Sequence, residues 1–230
     1  MKGISIIIPA WKSYDYIEEC LNSLQNQSYF KENDNWEILV GVDGCKETKD
    51  KVLQLIPKLK NTKGFWFSKN VGQSKVKNTL AWEAIYDTFL FFDSDDIAMP
   101  FLVEEILKNE LSVIRFLSKK KNKDSKKLSK RNYITYGQIS VKADIFKKVG
   151  GFYPIIYSED KDLLNRLKLN EVDINIFEDK AYLIRNRHEN SLTSIVKKSE
   201  IKKKCHKIRD NMNKKSVKII KPVFAKFKEM

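Results

Sequence analysis

Apolar and polar positions alternate in blocks along this chain. Ile4-Ser5-Ile6-Ile7-Ile8 is a nearly continuous β-branched run, which predicts a strand buried on both faces, as parallel strands are. Pro9 is expected to end it. From Tyr14 to Asn26, apolar residues at Tyr16 or Ile17, Cys20, Leu21 and Leu24 recur at helical spacing, with Ser13 or Asp15 as N-cap. A second strand runs from Trp36 to Val42 into Asp43-Gly44, and a helix follows from about Thr48 to Leu59. Gly64 to Phe67 reads as a third strand, Ser68 to Gly72 as a turn, and Ser74 to Tyr86 as a helix. The fourth strand is Phe89-Leu90-Phe91-Phe92, apolar, aromatic and too short for a helix. Strand–helix alternation predicts an α/β fold, a Rossmann-like α/β/α sandwich with a mostly parallel central sheet. The strand exits at Pro9, Asp43 and Asp93 then share one edge of that sheet, where such folds bind ligands.

Beyond Pro100 the pattern weakens. Phe101 to Leu107 reads as helix, Leu111 to Leu117 as strand, and Lys119 to Lys130, poor in apolar residues, as a mobile loop or an excursion. Asn132 to Val141 is strand-like, and Lys142 to Val149 is a short helix stopped by Gly150-Gly151. Ser158 is placed to cap a helix that opens with Glu159, Asp160 and Asp162, acids that suit a helix N-terminus. Two further strands are expected at Asp173–Phe177 and Lys180–Arg185, then a basic helix from Ser199 onward.

The fourth strand ends in Asp93-Ser94-Asp95-Asp96. Three carboxylates on one turn repel one another, and a divalent cation with a taste for oxygen, Mg²⁺ or Mn²⁺, removes that cost. The alternative is a polar turn whose Asp93 or Asp96 caps the next helix. The chain carries 44 Lys and Arg against 30 Asp and Glu, a net charge of +14, and the excess is concentrated in 115–131 and beyond Lys197. Such an excess points to a polyanionic partner, a membrane surface or phosphorylated substrates, or to a merely solvated surface. No nucleic-acid-reading motif accompanies it, so nucleic acid is not expected. Cys20, Cys45 and Cys205 match no zinc or disulfide pattern, which favours a reducing, cytoplasmic compartment. No apolar run approaches the roughly 18 residues of a membrane span.

These pieces, in this order, resemble a family 2 glycosyltransferase of the A-type fold. The resemblance rests on Ser5 to Trp11, Ile38 to Gly44, Asn70-Val71-Gly72 with Asn78, Phe91 to Asp96, Gly150-Gly151-Phe152, Ser158 to Leu163 with Arg166, and His188 to Thr193. It implies a catalytic domain over 1–195, with a nucleotide-sugar half over 1–100 and an acceptor half over 101–195. It implies transfer of a sugar, with inversion, from a nucleoside diphosphate sugar (a UDP-sugar by family habit) to a hydroxyl of a glycan, lipid-linked or protein-linked acceptor. Pro9, Ala10 and Trp11 would line the nucleobase pocket, with Trp11 stacking on the base. Asp43 would bond the base or ribose, although Val42 stands where the family usually has a second carboxylate. Asn70 and Gly72 would bring backbone close to the nucleotide, with Asn78 nearby. Lys75 or Lys77 would reach the phosphates, unless each is simply a solvated helix lysine. Asp93, Ser94 and Asp96 would contact ribose or donor sugar, and Asp95 would ligate the metal. Asp160 is the expected general base, with Glu159 binding the acceptor. His188 would be a further metal ligand, with Arg185 and Arg187 flanking it as phosphate partners.

The membrane helices and Gln-x-x-Arg-Trp motif of the family's processive synthases are absent from this sequence, so a single-addition enzyme is expected. Residues 196–230 read as a basic amphipathic helical tail. Either it contacts an anionic inner membrane face peripherally, or its apolar stripe packs on the domain or on a second copy of the chain. The competing functional class is a non-catalytic nucleotide-sugar or glycan-binding protein on the same fold.

Overall fold

A computed structural model of the chain describes residues 1–121, 127–186 and 200–230. Four parallel strands form the first half of the sheet: β1 (Ile4–Ala10), β2 (Trp36–Asp43), β3 (Thr62–Phe67) and β4 (Thr88–Phe91), in the order β3-β2-β1-β4. Every residue of β1, β2 and β4 is buried, because helices cover both faces of an apolar run. Ile4, Ile6 and Ile8 pack with Ile17, Cys20, Leu21 and Leu24 of helix α1 (Ile17–Gln25) and with Val52 and Leu55 of α2 (Lys46–Leu55). Ile7 and Leu39 point the other way, onto Val76 and Leu80 of α3 (Gln73–Glu83). Each such side chain contributes roughly 2 kcal/mol.

β5 (Asp96–Ala98) and α4 (Leu102–Asn109) follow β4. The sheet then grows antiparallel through β7 (Tyr133–Lys142) beside β4, and β6 (Val113–Lys121) beside β7. β8 (Ile174–Phe177) and β9 (Leu183–Asn186) run parallel to β6, and β5 closes antiparallel on β9. α5 (Ala143–Lys148) and α6 (Glu159–Leu169) pack on the α3 side, through Phe146, Leu163 and Leu167. The result is an α/β fold around one mixed, largely parallel sheet.

The structure corrects several expectations. Pro9 lies inside β1 opposite Gly41; pairing with β4 has already ended at Ile7, so the missing N–H breaks no ladder there. Lys119–Lys121 extend β6 rather than opening a loop, because β9 pairs with them. Ser158 precedes α6 in a left-handed conformation, φ +69°, and its side chain does not cap the helix.

The tail differs most. Helix α7 (Glu200–Lys214) ends there, Ser216 takes φ +50°, and Pro222 bars further helix. The remaining chain runs extended across α3 and adds β10 (Lys228–Glu229) antiparallel to β3. Phe227 packs on Phe65 and Phe67, Phe224 edges onto Trp82, and Ala225 N–H bonds to Thr79 Oγ1. Ala225, Phe227 and Met230 thus pack on the domain, and the segment forms no helical face toward lipid, although Ile219 and Phe224 stay exposed. Among the described residues no helix is long and apolar enough to cross a membrane.

Candidate active site

The acidic turn follows β4, closed by a bond from Asp96 N–H to the Asp93 carbonyl, 3.2 Å. Asp93, Asp95 and Asp96 each offer a carboxylate oxygen, and the three lie within 4.8 Å of one another. Asp93 and Asp95 are half-buried and Asp96 is buried. Burial pushes the Asp93 carboxyl up, Lys77 opposes it, and Asp95 adds to it. Asp96 is pushed well above the carboxylate range by burial and then by Asp95 and Asp93. Ser94 turns away from the cluster, its Oγ 2.7 Å from the buried Ser13 Oγ. That bond fixes the turn to the loop after β1.

Gln138 supplies the turn's main neutral donor. Its Nε2 bonds to Asp93 Oδ2 (2.7 Å) and to Asp96 Oδ2. A bulge delivers it. Between paired positions, β6 advances from Arg115 to Leu117 while β7 runs from Ile134 to Ile139. The extra β7 residues loop out, and Thr135 Oγ1 bonds to the carbonyls of Phe116 and Gln138 to hold them. Arg115 Nε and Nη2 clamp the Thr135 carbonyl. From the far side, Asn186 N–H donates to Asp96 Oδ1 (3.1 Å), Asn186 Nδ2 to the Asp95 carbonyl (2.7 Å), and Arg185 Nε sits 3.7 Å from Asp96 Oδ2. Arg185 thus reaches the acidic centre.

At the end of β2, Asp43 is buried and spends its carboxylate on backbone. Oδ1 accepts the Val71 N–H (2.6 Å) and Oδ2 the Gly72 N–H (3.0 Å). Burial raises its pKa against those bonds and Lys75. Asp43 thereby shapes the turn before α3. Gly44, φ +70°, permits the approach, since a Cβ there would stand 2.2 Å from the Asn70 nitrogen. Gly72, φ +90°, faces open space. Pro9 and Ala10 are buried in the strand, and Trp11 is half-exposed at its exit with Lys12 Nζ 4.8 Å from the ring centroid. Lys75 is half-exposed on the first turn of α3. Asn78 is not at the site. Fully buried, it bonds to Phe152 through both ends of its amide and to the Val223 carbonyl of the tail. It joins α3 to the Gly151–Phe152 turn, with both amide ends engaged inside the fold.

The α6 N-terminus meets the neighbourhood of the acidic turn through Lys77, on which both Glu159 and Asp93 act. Glu159 is only 3% exposed, and its Oε1 accepts from Gln73 Nε2 (2.7 Å) and Lys77 Nζ (3.3 Å). Burial raises Glu159 to about 7, with Lys77 opposing. Burial lowers Lys77, but Glu159, Asp93 and Asp160 outweigh it and hold the ammonium above its usual range. This buried pair ties α6 to α3, and the residue expected to contact the acceptor is itself buried. Asp160 is half-exposed, its Oδ1 accepting the Lys161 N–H at 2.7 Å. It lies near enough to Asp93 to raise that residue's pKa.

The structure therefore brings Asp93, Asp95, Asp96, Asp160 and Arg185 together. His188 and Arg187 lie outside the described residues. Gln138 and Gln73 escaped the sequence reading. An isolated glutamine carries no pattern, and only the bulge gives Gln138 its place.

The acidic turn after β4 and the Asn70–Gly72 turn pinned by Asp43 lie at the exits of parallel strands of one sheet, the edge where open α/β sheets bind ligands. The Glycosyl transferase family 2 pattern matches residues 5–176, and the chain belongs to that family. It is 33% identical over 118 residues to poly(ribitol-phosphate) beta-N-acetylglucosaminyltransferase TarS of Staphylococcus aureus, covering 50% of this chain and 19% of that protein. The chain thus spans less than a fifth of that relative's length. The solved TarS 1-349 complex with UDP-GlcNAc superimposes with a TM-score of 0.68 at 24% identity, over 84% of this chain and 61% of that one. The mannosyltransferase PcManGT of Pyrobaculum calidifontis, solved with GDP-Man and Mn²⁺, gives 0.65 at 13% identity, over 84% and 59%. At those identities the two structures speak for the fold.

Proposed function

We propose that this chain transfers a sugar from a nucleoside diphosphate sugar, a UDP-sugar, to a hydroxyl of a polymeric acceptor, with inversion at the anomeric carbon. One observation carries the reading: three mutually repelling carboxylates at the sheet edge, with Asp160 close enough to act on Asp93. The acidic turn suits a hard divalent cation. Its donors are all oxygen, and burial plus mutual repulsion raise Asp93 and Asp96. Asp93, Asp95 and Asp96 would hold Mn²⁺ or Mg²⁺, which when bound supplies positive charge for the departing diphosphate. The PcManGT complex with Mn²⁺ and the TarS complex with UDP-GlcNAc support both partners.

The chain's own residues do the remaining work. Trp11, at the exit of β1, offers a ring for the nucleobase. Asp43 holds the Asn70–Gly72 turn so that backbone lies against the nucleotide, and Lys75 stands over that turn for the phosphates. Gln138 keeps Asp93 and Asp96 facing inward. Asp160 takes the acceptor hydroxyl's proton as that oxygen attacks. Lys77, Glu159 and Gln73 fix the α6 N-terminus so that Asp160 stays close to Asp93.

A panel of nucleotide sugars with Mn²⁺, scored by nucleoside diphosphate release and by the anomeric configuration of the product, tests this. Asp160→Asn is expected to slow transfer by roughly 10²–10⁴-fold while donor binding persists. A retained configuration, or Asp160→Asn at full rate, would overturn the assignment.

A further inference from the structure

The acidic centre borders a surface that the donor side does not use. Tyr136 emerges from the β7 bulge 44% exposed, one residue before Gly137, which packs against the Asp93 carboxylate. Two cations lie over its ring. The Arg115 guanidinium carbon is 4.4 Å from the centroid and Lys161 Nζ is 4.8 Å from it. Lys161 directly follows Asp160 and Gly137 adjoins Asp93, so this ring neighbours both the acidic turn and the proposed base. Further along β7, exposed Tyr133 carries Lys120 Nζ at 3.1 Å. Among the described residues neither Arg115 nor Lys161 is ion-paired with a carboxylate. α7 continues the basic surface. His206 stacks near Tyr157, 5.8 Å between centroids, and burial, Arg209, Lys202 and Lys161 depress its imidazole.

A neutral sugar needs only a bare aromatic ring. Here each exposed tyrosine is flanked by cations, and two of them gather on one ring. Cation–π attraction at an exposed site is worth about 0.5–1 kcal/mol, and the mutual repulsion of the cations works against it. An anion that bridges them removes that repulsion, and Arg also offers it directed hydrogen bonds.

We infer that this surface is the acceptor cradle and takes an anionic polyhydroxyl chain. Phosphate or carboxylate groups of the chain lie on Arg115 and Lys161, while a sugar or polyol unit rests on Tyr136 with its hydroxyl toward Asp160. The inference rests on the transfer reading above and names the acceptor class.

The test is binding of fluorescent polyol-phosphate, polyuronate and dextran chains of matched length to the full chain with UDP and Mn²⁺, at low and high salt. At least one anionic chain is expected to bind about tenfold tighter than dextran and to weaken with salt. Lys161→Glu and Tyr136→Ser, both on the surface, are each expected to weaken that binding by about tenfold. Arg115 is left intact because it clamps the bulge. Equal binding of dextran, or unchanged binding by both variants, overturns the inference. Retention on anionic vesicles without binding of either soluble anionic chain also overturns it and makes the surface a membrane contact. Donor turnover is measured on the same wild-type preparation. Turnover without preference for an anionic chain sinks only this inference, whereas absent turnover sinks the transfer reading.

Discussion

Lys77 and Glu159 are the residues whose burial most needs explaining. Each is almost fully enclosed, and neither is a conventional core side chain. Removing one partner of such a pair strands the other charge, which is strongly destabilising. The pair therefore locks α3 to α6 at the point where α6 presents Asp160. Its pH dependence has a definite sign. The Glu159 carboxyl is raised from 4.5 to about 7 in the folded chain, so the stability it contributes is complete below its unfolded value and is lost as pH rises through about 7. Wild type is accordingly expected to lose stability relative to Glu159→Gln between pH 5 and pH 8. Urea titrations of both proteins across that range check this. A difference that is flat, or that grows in favour of wild type, contradicts the assignment.

At the scale of elements, the bulge in β7 does more for the site than any helix. It turns Gln138 toward the acidic turn, exposes Tyr136, and sets Gly137 where a Cβ would stand 3.0 Å from Asp93 Oδ2. Gly137→Ala is expected to displace that carboxylate by a few tenths of an ångström and to weaken Mn²⁺ binding by roughly tenfold, with only a small loss of stability. A variant that binds Mn²⁺ like wild type would show that the bulge does not set the cluster. The strands β1 to β4 were legible because a continuous apolar run buried on both faces has few other readings. The bulge was not legible, since Tyr133 to Val141 alternates well enough to pass for a plain strand. β5 was hidden for a related reason: three residues directly after an acidic turn carry no period, and β9 alone makes them a strand.

For the whole molecule, the tail illustrates the limits of periodicity. Val223, Ala225 and Phe227 are half-buried at a period of two, with exposed Phe224 and Lys226 between them, and Pro222 excludes helix, yet apolar Phe224, Lys-rich surroundings and a helical start at Glu200 masked that signal. In the fold the segment covers the open edge of β3, an edge that would otherwise be free to pair with another strand. The acidic centre was readable because Asp93, Asp95 and Asp96 are local in sequence. The supports of Asp160 were less so, because Lys77, Gln73 and Glu159 meet only once α3 and α6 pack. Asp43 and Asn78 sat in matching motifs, yet their partners are backbone, which no side-chain pattern shows. The central claim is that a nucleoside diphosphate and a divalent cation bind together at the acidic turn. Calorimetric titration of UDP into the protein, with and without Mn²⁺, tests it most directly. UDP binding is expected to require Mn²⁺, to be abolished by EDTA and to be lost in Asp95→Ala. UDP affinity that is indifferent to Mn²⁺, or unchanged in Asp95→Ala, would contradict it.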